Sequence, residues 1–128
     1  MFHIESPRTG DQALEAEIKA RGADKAPRIT PADIETNIVS EDYFTAAEAV
    51  REVTDDGCKP SPLGLLTFCV LVLRNGFTVT GESACASPEN FDAEIGRRIA
   101  RENAVSKVWP LMGYELRNKL ASKEKAHD

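Results

Sequence analysis

Asn75-Gly76, set between LLTFCVLVLR and FTVTGES, constrains this chain more than any other pair of residues. A type I′ hairpin turn needs positive φ at both central positions, and Asn-Gly accepts that at least cost. Pairing Arg74 with Phe77 sets Val72 against Val79, Val70 against Gly81 and Phe68 against Ser83 on one face. Leu73, Leu71 and Cys69 then meet Thr78, Thr80 and Glu82 on the other face, because side chains alternate along a strand. The first face is the better core. The first strand is nevertheless apolar on both faces, so its second face, with Leu71 and Leu73, should be covered by the early helices or by another copy of the chain. A lone hairpin also leaves two edges that need a strand, a helix or a partner.

Helix signals flank the hairpin. In SPENFDAEI, Ser87 reads as an N-cap, Pro88 as the first helical residue, and Glu89 and Asp92 as acids at the positive end of the dipole. Phe91, Ile95, Val105, Trp109, Met112, Leu116 and Leu120 fall in one broad stripe at 100° per residue, which predicts a helix to about residue 121. Pro110 predicts a kink or a break near Trp109. Upstream, DQALEAEIKAR reads as a helix with a thin apolar face, stopped at Gly22, and GADKAPR as linker. ITPADIETNIVSE reads as a helix capped by Thr30, with Ile34 and Ile38 on one face, and EDYFTAAEAVREV as a second short helix closed by DDG. The expected fold class is α+β: short N-terminal helices, one hairpin over about 64–85, and a long C-terminal helix. Residues 1–28 form a mobile extension in this reading, 29–121 a single domain and 122–128 a frayed tail.

Composition narrows the chemistry. A chain of 128 residues, 41% hydrophobic, suffices for one modest core. The apolar run Leu63 to Leu73 is about half of what a membrane-spanning helix needs, so no membrane association is expected. MFHIESPRTGDQ has no basic segment followed by an apolar one, which points to a cytoplasmic protein. The net charge is −5, and residues 1–60 carry 7 basic against 13 acidic groups, so direct DNA binding is disfavoured. Cys58, Cys69 and Cys85 lack metal-ligand spacing, His3 and His127 lie at opposite extremities, and no metal or cofactor is expected. GESAC superficially resembles a nucleophile elbow, but its second glycine is absent and no base can be placed beside Ser83 or Cys85. The chain therefore reads as non-enzymatic.

The informative anomaly lies inside the helical stripe. Arg98 and Glu102 are four residues apart within it, Ser106 joins them, and Arg97 and Arg101 flank it. One reading is an intrahelical Arg98–Glu102 ion pair; another is a polar layer between protomers, or a guanidinium cluster for a phosphate or carboxylate ligand. Trp109, Met112 and Tyr114 are further candidates for contact with a partner.

The words NGFTVTGESAC, NFDAEIG, ARENA and WPL-x-GY, with RITPADIETNIVSEDYFTAAEAV upstream, are distinctive. Over about residues 12–121 they resemble the small tailed-phage and prophage family named for gene product forty-nine of coliphage N-four and gene sixty-six of Shigella phage Sf-six. The resemblance implies a phage or prophage origin and a small accessory role, and brings no catalytic residues with it. Two functions follow as expectations: binding to a host protein that blunts a defence system, acting in the host cytoplasm, or a homo-oligomeric sponge that holds a nucleotide signal at Arg97, Arg98, Arg101 and Glu102.

Overall fold

The structure, a computed structural model, describes residues 6–53 and 59–126, with side chains from residue 11 onward. His3, His127, Cys58 and the expected DDG stop lie outside the described residues. Among the described residues four α-helices and three strands follow in the order α1 (Ser6–Ala20), α2 (Pro31–Asn37), β1 (Ile38–Thr45), α3 (Ala46–Ala49), β2 (Leu66–Leu73), β3 (Thr78–Ala84) and α4 (Ala93–Ala126). This is the α+β class that the sequence predicts. The described residues divide into two compact units, one within 38–106 and the other within 6–37 and 107–126, and α4 contributes to both.

In the second of these units the local signals act as read. Gly22, at φ +71°, closes α1 with the paired bonds Ala23 N to Ile18 O (2.9 Å) and Gly22 N to Lys19 O (3.1 Å). Arg28 then reaches back to form a two-pronged ion pair with Glu15. Thr30 caps α2 as expected: its hydroxyl accepts from Asp33 N (3.2 Å), while Asp33 Oδ2 accepts from Thr30 N (2.9 Å). Ile34 and Val108 are buried.

The unit formed by residues 38–106 is a three-stranded antiparallel sheet in the order β1-β2-β3 with the first half of α4 against it. β1 is a finding against the sequence reading, which places Ile38 in one helix and EDYF in another. Ile38, Val39, Tyr43, Phe44 and Thr45 are β-branched or aromatic, and pairing them supplies an otherwise open edge of β2. The expected second helix shrinks to α3. Thr45 and Glu48 form a reciprocal capping box there, and Arg51, at φ +56°, stands where a left-handed terminator would ordinarily be glycine.

The hairpin also differs in register. Gly76 N donates to Leu73 O (2.9 Å) and Leu73 N donates to Phe77 O (2.8 Å), with Gly76 alone in the loop at positive φ, +88°. The connection is thus three residues, Arg74-Asn75-Gly76, and Asn75 Oδ1 accepts from Phe77 N (2.9 Å). Val79 consequently faces Leu71, Gly81 faces Cys69 and Ser83 faces Thr67. This one-residue slip exchanges the two faces. The core face carries Thr67, Cys69, Leu71 and Leu73, all buried, whereas Leu66, Phe68, Val70 and Val72 are only half-buried.

Helix α4 meets the core face through small residues. Gly96, Ala100 and Ala104, four apart, are buried, and a Cβ placed on Gly81 would stand 2.1 Å from Ala100 O and 2.3 Å from Ala104 N. The large-residue stripe read from the sequence is a different face, and Phe91, Ile95, Val105, Trp109, Met112, Leu116 and Leu120 all remain half-buried. The helix starts later than expected. Residues Pro88–Asn90 form a separate 3₁₀ turn, Ser87 makes no cap, and Asp92 Oδ1 accepts instead from Glu94 N (3.0 Å) and Ile95 N (3.1 Å). α4 then runs unbroken through Pro110, at a point where Pro110 and Ser106, the residue whose carbonyl loses its N–H partner, are both exposed.

Candidate functional site

Three groups of residues on the 38–106 unit can carry function: the arginines of α4, the outer face of the sheet, and a cleft where the hairpin meets the start of α4.

The arginines are tied down. Arg98 Nη2 donates to Glu94 Oε1 at 2.7 Å, one turn back rather than forward to Glu102. Arg101 Nε donates to Glu41 Oε2 at 2.6 Å, and Tyr43 Oη donates to the same oxygen at 3.2 Å. Glu41 thereby links β1 to α4. Burial raises the Tyr43 phenol well above its usual range and also raises the neighbouring Cys69 thiol, so neither supplies an ionised group. Arg97 is exposed, and Glu102 is half-buried with its carboxyl raised by desolvation. An anion arriving at Arg98 or Arg101 must therefore compete with a carboxylate already in place.

Of the residues read as an interface, Leu71 and Leu73 are 0% and 4% exposed and belong to the core, a direct result of the register. Trp109 and Met112 are half-buried and Tyr114 is 72% exposed. The surface that the hairpin sequence marks as core is the one left half-exposed. Leu66, Phe68, Val70 and Val72 run along it, Phe44 stacks on Phe68 with ring centroids 5.4 Å apart, and the neighbouring strands add exposed Ser40, Asp42, Thr78, Thr80 and Glu82. An apolar stripe with an acidic rim results. The clue lies in one residue: a glycine inside a strand marks close backbone approach, and Gly81 identifies its own face as the one that α4 covers.

Ser83 and Cys85 both line the cleft, as does Asp92. The carboxylate of Asp92 is engaged in capping α4, and the Cys85 thiol donates to Ser87 O at 3.2 Å. Among the described residues no base is hydrogen-bonded to either Ser83 or Cys85, and no group of three or more histidine, cysteine or acidic side chains could hold a metal. Beside the cleft, Lys59 Nζ and Ser87 Oγ donate to Glu89, at 2.5 and 2.6 Å, and together hold its carboxyl down at about 2. A depressed carboxylate contributes stability above its unfolded value, near 4.5, and loses that contribution as pH falls toward 2. A carboxyl NMR titration should give Glu89 a midpoint near 2, moving back toward 4.5 in Lys59→Met.

These features define an α+β scaffold in which Arg98, Arg101, Glu89 and Asp92 are engaged in ion pairs or caps, with an apolar strip left half-open on its sheet. The family described as phage protein (N4 Gp49/phage Sf6 gene 66) matches residues 29–120, and the chain belongs to it. No curated protein and no solved structure matches. Among the described residues no helix is long and apolar enough to cross a membrane.

Proposed function

We propose that this protein is a non-enzymatic phage accessory protein that binds a host protein in the bacterial cytoplasm and blunts a defence system. The observation that carries the reading is the strip Phe44, Leu66, Phe68, Val70 and Val72, half-exposed and rimmed by Asp42 and Glu82. Contiguous apolar surface with a polar rim is the usual composition of a protein-binding patch. The acidic rim favours a partner whose apolar patch is surrounded by lysine or arginine, such as a nucleic-acid-binding surface, and steers the encounter. Exposed Tyr114 and half-buried Trp109 and Met112 are candidates for a second contact.

The test is capture from host lysate on immobilised protein, wild type beside Val70→Lys. The lysine stem can lie along the strip while its charge reaches water, so the fold should persist by circular dichroism. A specific host protein retained by wild type and lost by Val70→Lys is the expected result. Equal retention by both, or no specific protein with either, would count against the reading.

The alternative, a homo-oligomer that sequesters a nucleotide between protomers at Arg97, Arg98, Arg101 and Glu102, has weaker support because Glu94 and Glu41 already engage two of its guanidiniums. Calorimetry with linear and cyclic nucleotides on wild type and Arg98→Ala decides it.

A further inference from the structure

We infer that the cleft between the end of the β2–β3 hairpin and the first turns of α4 is a binding site for a small, uncharged, mainly apolar molecule carrying a carbonyl-type acceptor. The cleft measures about 260 Å³, and Leu65, Phe91, Ile95 and Ile99 give it apolar walls. Pockets for drug-sized ligands begin at roughly 300 Å³, so its occupant is smaller than those.

Thr67 supplies the observation that points to a ligand. It sits on β2 among core residues, is only 3% exposed and lines the cleft. Its hydroxyl has no hydrogen-bond partner among the described residues. No side-chain nitrogen or oxygen sealed from solvent goes unbonded there, so the Thr67 hydroxyl can lack a partner only by opening onto the cleft. A hydroxyl open to the cleft can bond to solvent, and an occupant that displaces that solvent preserves the bond only if it brings an acceptor of its own. Gly96 keeps the approach clear, since a Cβ there would stand 3.0 Å from Thr67 Oγ1.

The surroundings decide the charge of the ligand. Asp92 is the one ionisable carboxylate on the lining, and no lysine or arginine is on it, so an anion has no counter-charge. Oδ1 of Asp92 already accepts two backbone N–H groups, which weakens it as a cation site. A neutral carbonyl compound satisfies the hydroxyl and leaves both arrangements undisturbed.

Cys85 lies on the lining and gives a handle for the test. Cys58→Ser protein, in which the other described thiol, Cys69, is buried, is equilibrated with three disulfide probes of matched size. One carries an isobutyramide group, one an isopentyl group and one a carboxylate. Cys85 thiolate attacks the probe disulfide and releases its thiol, so the labelled fraction reports how well each group sits in the cleft. The amide probe should label folded protein about 5- to 10-fold more than the other two, the worth of one hydrogen bond. Thr67→Val should remain folded, label equally with the isopentyl probe and lose the amide preference. Gly96→Ala should reduce labelling by both neutral probes. Equal labelling of folded protein by all three probes, or an unchanged amide preference in Thr67→Val, would overturn the inference.

Discussion

Gly81→Ala should destabilise the protein by about 3 kcal/mol or more, at the upper end of what overpacking produces. The added methyl would stand 2.1 Å from the carbonyl oxygen of Ala100 and 2.3 Å from the amide nitrogen of Ala104. Both are backbone atoms of one helix, so no rotamer change relieves the clash. Either α4 lifts from the sheet and uncovers Leu71 and Cys69, or β3 bends away from β2. Asn103 Nδ2, which donates to Glu82 O at 2.8 Å beside this contact, would lose its bond in either case. Urea denaturation of wild type and Gly81→Ala measures the difference. Gly113, on the same helix, provides the control: a Cβ there would meet no atom within 4 Å, so Gly113→Ala should be neutral or stabilising.

The second large effect separates two neighbours on one strand. Leu71→Ala should cost about 2–5 kcal/mol, because its side chain is fully enclosed and its loss leaves a cavity. Val72→Ala should cost about 1 kcal/mol or less, since Val72 is half-exposed on the outer face and loses mainly β propensity. A two-residue turn at Asn75-Gly76 would reverse the order. Thermal or urea unfolding of both variants therefore reads the hairpin register as well as the core.

Which features are legible in the sequence follows from how local their causes are. Thr30, Pro31 and Asp33 act within one turn, and the cap forms as read. Asn75-Gly76 marks the hairpin, but both a two-residue and a three-residue loop place glycine at positive φ there. The choice between them rests on which face of β2 gains a cover, and that is settled by Gly81, Ala100 and Ala104 from distant parts of the chain. β1 is hidden because Ile34 and Ile38 are spaced as on a helix, while the pairing that makes Ile38–Thr45 a strand comes from β2. The long helix is legible and its contact face is not. Hydrophobic periodicity weights large side chains, whereas this contact uses Gly96, Ala100 and Ala104, which score low individually and matter by letting backbones approach.

The candidate sites follow the same pattern. Arg98 and Arg101 stand out as charges in and beside an apolar stripe, but the partner of Arg101, Glu41, lies 60 residues away on a strand whose spacing suggests helix. The half-exposed strip reads as core for the same reason that the register reads one residue out. The cleft depends on Thr67, Cys85 and Ile95, from a strand, the turn after β3 and α4, so no single segment reveals it.

Fold and proposed interface both depend on the sheet turning Leu71 and its odd-numbered neighbours toward α4 and Val70 and its even-numbered neighbours outward. Methyl NMR with a soluble paramagnetic agent, before and after adding the captured host protein, measures this residue by residue. The methyls of Leu66, Val70 and Val72 should relax quickly in the free protein and become shielded in the complex, while those of Leu71, Leu73 and Val79 stay shielded in both. Fast relaxation at Leu71 with shielding at Val72 would contradict the fold, and unchanged relaxation at Val70 on binding would contradict the interface.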